Sequence, residues 1–389
     1  MRILFCTSPG VGHAEPMTPL MRAFIQRGHE VAWAGAVESH LRAQALGVQR
    51  CFAVGPGSAD TRAEYDRRWP QQANTIGPAA APLVFVRRFG ALLAPAMLDP
   101  LLRVIETWRP ALVVSELGVL AAPLACKLTG CLQVTHGFGM PPRDSVIEQA
   151  ADAFAESWRR MTSGPPPPDA GLFSHLYLDI FPHALQAADR RRTTRCQRLQ
   201  PCTPRRNGAA PLPDALAASF NEFNHWPLAY LTFGTVVNRS QALITAASAL
   251  SGLQLRLVVT VGSDGDPHTL GPMPPNVHVS RFIPQSDLLP HCDLVVSHGG
   301  SGTFLAPLAH GVPQLVLPQG ADQFINASAL EASGAGLALR SDDITVARIR
   351  DCAQRLLLSP KYRQQAASIA DEIFAMPSAQ EVVMRLERL

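Results

Sequence analysis

Short apolar runs recur along this chain, each followed by a polar or glycine-rich turn and then an amphipathic helical stretch. Nothing else in the sequence restricts the fold as much. Residues 3–7 form one such run, which ends at Ser8-Pro9-Gly10-Val11-Gly12-His13, and a helical pattern follows over 16–27. Gly28 and His29 stop that helix, and 31–36 is the next apolar run. A strand, a loop, a helix and a second strand in this order make the repeating unit of a parallel sheet, because parallel neighbours need a crossover. Further runs at 48–54, 111–115 and 132–136, with a helix over 119–129, continue the theme. Residues 56–78 are polar and charged, and we expect a long loop there. Residues 85–108 read as a helix broken near Pro95 and Pro100. The four prolines at 165–168 read as a stiff exposed connector.

The composition shifts at 201–213, which is rich in Pro, Arg, Gly and Asn and reads as an interdomain linker. The alternation then restarts. Strands are expected at 228–233, 255–261, 277–280, 294–297 and 313–317, and helices at 240–250, 302–310, 322–332, 346–357 and 361–375, with a short terminal one at 379–389. A chain of 389 residues is long for one domain and suits two. The expected fold class is therefore α/β: two doubly wound Rossmann-like domains, 1–208 and 209–389, facing each other across a cleft. The last helix, about 376–389, is placed to return to the first domain.

With 47% hydrophobic and 17% charged residues, the chain has the material for a sizeable core and does not read as disordered. The net charge of +3 is small, and the only dense basic runs are Arg190-Arg191-Arg192 and Arg205-Arg206, so no nucleic-acid partner is expected. None of the eight cysteines forms a C-x-x-C pair, which favours reduced thiols in the cytoplasm over a zinc or redox site. Met1-Arg2-Ile3-Leu4-Phe5 runs straight into a strand and lacks the pattern of a signal peptide. No window reaches the roughly 18 unbroken apolar residues of a membrane span, so no stable membrane insertion is expected.

The strongest local motif is Ser297-His298-Gly299-Gly300-Ser301-Gly302-Thr303, which leaves a buried strand and opens a helix. Glycines bring backbone close to a ligand, and free amides at a helix start favour a diphosphate. Ser301 and Thr303 offer hydroxyls, and His298 a ring N–H. A plain helix cap would need fewer of these residues. Pro318-Gln319-Gly320-Ala321-Asp322-Gln323 pairs a carboxylate with amides, which suits sugar hydroxyls, although an Asp beginning a helix is also simply stabilising. Gly10-Val11-Gly12-His13 lacks the third glycine of a dinucleotide fingerprint, since position 15 is Glu15. Glu38, at the end of the second strand, mimics its ribose-binding acid only in part. His13 stands at the lip of a strand, where a histidine can act as a general base near neutral pH. Glu116 ends a strand running in the same direction and could orient it. Asp264-Gly265-Asp266 resembles a metal-holding D-x-D, but its Gly- and Pro-rich setting favours a surface turn. No other cluster has metal-ligand spacing, and no metal or cofactor is expected.

Residues 297–303, with Arg281-Phe282-Ile283-Pro284-Gln285 upstream and Ala321-Asp322-Gln323 downstream, resemble the donor site of family 1 glycosyltransferases. Gly12-His13-Ala14-Glu15-Pro16 and Thr232-Phe233-Gly234-Thr235 extend the resemblance to the bacterial branch that decorates polyketides, macrolides and related antibiotics. The resemblance implies the GT-B fold, inversion at the anomeric carbon and no required metal. It implies that His298, Ser301, Gly302 and Thr303 hold the diphosphate with Thr235 nearby, and that Gly12 and Gly300 also belong to the donor site. Phe282, Ile283 and Gln285 would hold the base and ribose, Asp322 and Gln323 the sugar, and His13 would deprotonate the acceptor with Glu116 behind it. In that family the orienting acid is usually Asp, the stacking residue is often Trp, and plant members carry a ribose-binding Glu where this chain has Ala306. The last difference fits a dTDP-deoxysugar better than a UDP-sugar, because a deoxyribose has no 2′-hydroxyl to hold.

The expected activity is transfer of a sugar from a nucleoside diphosphate to a hydroxyl of an apolar natural product. The nucleotide sugar is a co-substrate, and a homodimer is an open option. A nucleotide-sugar epimerase and a non-catalytic glycosyltransferase-like partner remain as alternatives. An NAD-dependent oxidoreductase fits less well because of Glu15. Residues 56–78 and 136–144, with Phe85, Phe89, Phe138 and Met140, are candidate acceptor walls, although core packing explains those side chains equally well.

Overall fold

The computed structural model describes residues 1–72, 77–186, 195–201, 211–234, 240–262 and 265–389. The chain forms two compact units. The first comprises Met1–Phe181, Ala188–Gln200 and Met376–Leu389; the second comprises Pro182–Ala187 and Pro201–Ala375. The linker core and the expected boundary at 208–209 lie outside the described residues, as do Arg190 to Arg192, Arg205, Arg206 and Cys202.

Seven strands build the sheet of the first unit: β1 (Arg2–Cys6), β2 (Glu30–Gly35), β3 (Arg50–Ala53), β4 (Leu112–Glu116), β5 (Leu132–His136), β6 (Leu176–Asp179) and β7 (Cys196–Arg198). All neighbours are parallel, in the order β3-β2-β1-β4-β5-β6-β7. Phe5 stands opposite Trp33 on one side and Val114 on the other. Helices cover both faces of such a sheet, so its strands are mostly apolar: β4 is buried at every position, and its polar Ser115 and Glu116 come only at its carboxyl end. The second unit repeats the plan with β8 (Leu228–Thr232), β9 (Arg256–Thr260), β10 (Val277–Ser280), β11 (Leu294–Ser297), β12 (Gln314–Val316) and β13 (Gly336–Ala338). Its order is β10-β9-β8-β11-β12-β13, again all parallel.

Each sheet reverses its winding once, between β1 and β4 and between β8 and β11. At such a point the two following connections leave toward opposite faces, and a crevice opens beyond the carboxyl ends of the strands. The sequence motifs around His13 and His298 follow β1 and β11, so each lies at the switch point of its own unit.

Two expected interruptions are not interruptions. The charged stretch 56–78 contains a helix, Ser58–Arg68, rather than a long loop. Only Thr61 and Tyr65 of this helix are buried, so it carries no apolar stripe to read. It is held instead by ion pairs at helical spacing, Arg62 with Asp66 and Glu64 with Arg67 and Arg68, and by Glu38, whose carboxylate accepts the amide of Ser58 at 3.0 Å. Glu38 thus ties the turn after β2 to the start of this helix through the Ser58 amide and hydroxyl.

Residues 80–108 are continuous: α-helix Ala80–Phe85, π-helix Val86–Leu93 and α-helix Ala94–Trp108. Pro95 follows just after the π-helical segment, and the helix continues through it. Pro100 lies inside it, and a proline there costs about 3 kcal/mol. Burial of Met97, Leu98, Leu101, Leu102 and Ile105 offsets that, at roughly 1.5–3 kcal/mol per large side chain. Among the described residues this is the one helical run long and apolar enough to cross a membrane by composition, and Phe89, Leu93, Met97 and Leu101 belong to the core of the first unit.

The terminal helix Ala379–Leu386 packs on Thr18–Gln26 through Val382, Val383 and Leu386. Glu387 accepts from Arg27 at 2.7 and 2.8 Å and meets His29 at 2.7 Å. The chain end thus belongs to the first unit.

Candidate active site

In the first unit, β1 ends at Cys6 and the backbone turns at Gly10, whose φ of 125° is open to glycine. The short helix Val11–Ala14 then presents His13, with Gly12 beside it. Because β1 and β4 are paired in parallel, with Cys6 opposite Ser115, Glu116 emerges at the same sheet edge. His13 Nδ1 lies 3.4 Å from Glu116 Oε2, with 17% of the His13 side chain exposed and none of Glu116. That is ion-pair distance, and Nδ1 makes no hydrogen bond to another group. The Phe138 and Phe89 rings pack at 4.5 and 5.3 Å from the imidazole.

Glu116 is itself fixed. Its Oε1 accepts from the Ser8 amide at 3.0 Å and from the Ser8 hydroxyl, and its Oε2 accepts from the Gly118 amide at 2.5 Å. Burial pushes this carboxyl up, but His13, Ser8 and Gly118 together outweigh burial and hold it below the usual carboxylate range. Ser8 and Gly118 were not singled out from the sequence. The position of Ser8, immediately past the first strand, was the available signal.

In the second unit, His298 follows β11 and is 8% exposed. Burial drops its pKa to about 4, so the ring is neutral at pH 7 and carries a single N–H. It stacks on Phe233 at 6.0 Å. A Cβ at Gly234 or Gly300 would come within 2.9 or 2.7 Å of this ring, so both glycines make room for it. Gly299, at φ +81°, turns the chain, and its amide donates to Ser297 Oγ at 3.1 Å.

The helix Ser301–Ala309 begins there, with its backbone ladder opening at the Phe304 amide bonded to Gly300. The amides of Ser301, Gly302 and Thr303 thus precede the ladder and have no intrahelical acceptor. The Ser301 hydroxyl, expected to reach a diphosphate, instead donates to Asp322 Oδ2 at 2.5 Å. Asn326 joins the same cluster: its Nδ2 reaches Asp322 Oδ2 at 3.2 Å and the Gly299 carbonyl at 2.9 Å. Asn326, missed in the sequence, ties the 319–323 loop to the 297–303 loop from one turn inside a helix.

Gln323 folds back, its Oε1 accepting from the amides of Gln319 and Gly320 at 2.7 and 3.0 Å. That leaves its amide group, not its carbonyl, for a ligand. Phe282 is 66% exposed, an unusual state for a Phe and one that suits a stacking surface. Ile283 packs against the core beneath it, and Gln285 begins the short helix Gln285–Leu288. Thr235 and Asp264 lie outside the described residues. Asp266 caps the turn Pro267–Leu270 by accepting the His268 amide. Among the described residues no cluster of His, Cys, Asp and Glu has the makings of a metal site.

Two parallel sheets of Rossmann type, each with a polar, glycine-bearing loop at its switch point, place the chain among two-domain α/β enzymes, and comparison with known proteins gives the family. Residues 246–389 match the family described as erythromycin biosynthesis protein CIII-like, C-terminal domain. The chain is 31% identical to the elloramycin glycosyltransferase of Streptomyces olivaceus, over 99% of this chain and 97% of that one. Among solved structures it is similar to the glycosyltransferase SnogD of Streptomyces nogalater (28% identity, TM-score 0.75, covering 100% of this chain and 99% of the other). It is also similar to the spinosyn rhamnosyltransferase SpnG complexed with thymidine diphosphate (26% identity, TM-score 0.78, 100% of both chains). The chain belongs to the bacterial natural-product glycosyltransferases of the GT-B fold and is a glycosyltransferase of antibiotic-biosynthesis type.

Proposed function

We propose that this enzyme transfers a deoxysugar from a dTDP donor to a hydroxyl of an apolar polyketide- or macrolide-like acceptor, with inversion and in the cytoplasm. The observation that carries the catalytic part is the imidazole of His13 set 3.4 Å from a fully buried carboxylate. In this reading His13 takes the proton of the acceptor hydroxyl on Nε2 as that oxygen attacks the anomeric carbon. Glu116, held by Ser8 and Gly118, stabilises the imidazolium that forms. The bond from the anomeric carbon to the diphosphate oxygen breaks. The first-turn amides of the helix Ser301–Ala309, its dipole and the neutral N–H of His298 receive the developing charge. Since fixed dipoles supply that stabilisation, transfer is expected without a divalent ion. Phe282 stacks on the base, and Asp322 and Gln323 face the sugar. A dTDP donor is supported by thymidine diphosphate bound to the similar rhamnosyltransferase and by Ala306 standing where a ribose-holding acid would be.

The test is mass-spectrometric detection of a sugar added to an aromatic polyketide aglycone from a dTDP-deoxyhexose in EDTA. The His13→Ala chain should add sugar at least about a hundredfold more slowly, and near-normal transfer by that variant would remove His13 from the reaction.

A further inference from the structure

Arg88 carries a charge that the fold leaves unbalanced. It stands on the π-helical segment Val86–Leu93, a geometry that recurs at functional sites. Its guanidinium lies 5.7 Å over the Phe89 ring, and the same ring packs 5.3 Å from His13. Nη2 donates to the Pro9 carbonyl at 3.2 Å, on the loop that leads to His13. Nε is buried and has no partner.

Cations drawn partly into a protein interior are ordinarily paired with an acid. Two carboxylates act on Arg88 from a distance, Glu116 and Glu38, and both are committed elsewhere. Glu116 accepts from Ser8 and Gly118 beside His13, and Glu38 accepts from the Ser58 amide and hydroxyl. Arg62 adds repulsion. Arg87 repeats the pattern: its guanidinium lies 5.1 Å over the Trp69 ring, and its Nη1 is buried without a partner. Among the described residues neither arginine has an acid in ion-pair reach.

We propose that Arg88 recognises an acidic oxygen of the acceptor, a carboxylate or an ionised phenol, carried near the hydroxyl that His13 deprotonates. This rests on the reading that the first unit holds the acceptor. The guanidinium fork matches such a group in shape and charge and supplies what the folded chain alone does not. The rings of Phe89 and Phe138, packed against His13, suit a flat apolar body attached to it.

Calorimetric titration of the full chain with 1-hydroxy-2-naphthoate, its methyl ester and dTDP, each separately, tests this. The carboxylate should bind at least tenfold more tightly than the ester. Arg88→Gln should abolish that preference, Arg88→Lys should keep part of it, and dTDP affinity should be the same in all three chains. Equal affinity for the two naphthoates, no binding of the carboxylate, or a preference that survives in Arg88→Gln overturns the proposal. So does weaker dTDP binding in Arg88→Gln, which would assign the guanidinium to the donor's diphosphate. Failure of the unsubstituted chain to bind dTDP strikes the donor reading alone. The comparison of acid with ester needs no variant, so it stands even if Arg88→Gln does not fold.

Discussion

In the proposed reaction Glu116 acts at one remove, through His13, whose Nδ1 lies 3.4 Å from its Oε2. Two of its interactions come from the Ser8 and Gly118 amides, which any carboxylate of the right reach would satisfy. Glu116→Gln keeps the size but removes the charge that stabilises the imidazolium, so kcat should fall at least about tenfold, with dTDP affinity unchanged. A steady-state assay paired with nucleotide titration separates the two, and equal losses in both would make Glu116 a structural residue. Two other histidines make stability depend on pH. Burial lowers both His136 and His298 to about 4, whereas the unfolded chain titrates near 6.5. Between those values the unfolded state binds more protons, so stability present above pH 6.5 is lost as pH falls toward 4, on the order of 3 kcal/mol per group. Urea midpoints measured from pH 7 to pH 4 should fall accordingly, and His136→Asn should flatten the slope. An unchanged slope in that variant would mean that His136 is not neutral and buried as described. His13, Glu116 and His298 were legible because each closes or follows an apolar run. Ser8, Asn326 and Arg88 were not, because a hydroxyl, an amide and a guanidinium among many carry no periodic signal until folding fixes their neighbours.

At the level of elements, the glycines around His298 set the shape of the donor loop. Gly234, at φ +66°, approaches the ring so closely that a Cβ would stand 2.9 Å from Cε1. Gly234→Ala therefore displaces the imidazole and strains the backbone together. We expect dTDP binding to weaken at least tenfold while β8 and β11 remain intact, as near-native circular dichroism would show. Binding unchanged within twofold would mean that the imidazole position does not matter. The strands were the most legible elements, since β8 and β11 are buried at every position and almost wholly apolar. The helix Ser58–Arg68 was missed because its stability comes from ion pairs and a distant carboxylate rather than from a buried stripe. Pro95 and Pro100 pointed to breaks that tertiary burial overrode. The π-helical segment has no sequence signature of its own, although it carries Phe89 and Arg88.

On the scale of the whole molecule, one plan is used twice. Each unit winds a parallel sheet outward from a central strand pair and places its polar loop where the winding reverses. This explains why the His13 and His298 motifs stand at equivalent positions of the two sheets, after β1 and after β11. The plan was readable because strand–helix alternation restarts after the linker. The return of the terminal helix to the first unit depends on Val382, Val383, Leu386 and Glu387 meeting the helix Thr18–Gln26, Arg27 and His29, partners too far away in sequence for any local pattern to name. The central claim is that the loop 297–303 holds a nucleoside diphosphate by backbone amides and His298, without a metal. Isothermal titration of dTDP in EDTA into the intact chain and into His298→Ala measures it most directly. Micromolar binding by the first and at least tenfold weaker binding by the second is the predicted result. Absence of binding until a divalent ion is restored, or equal affinity in the two chains, would contradict it.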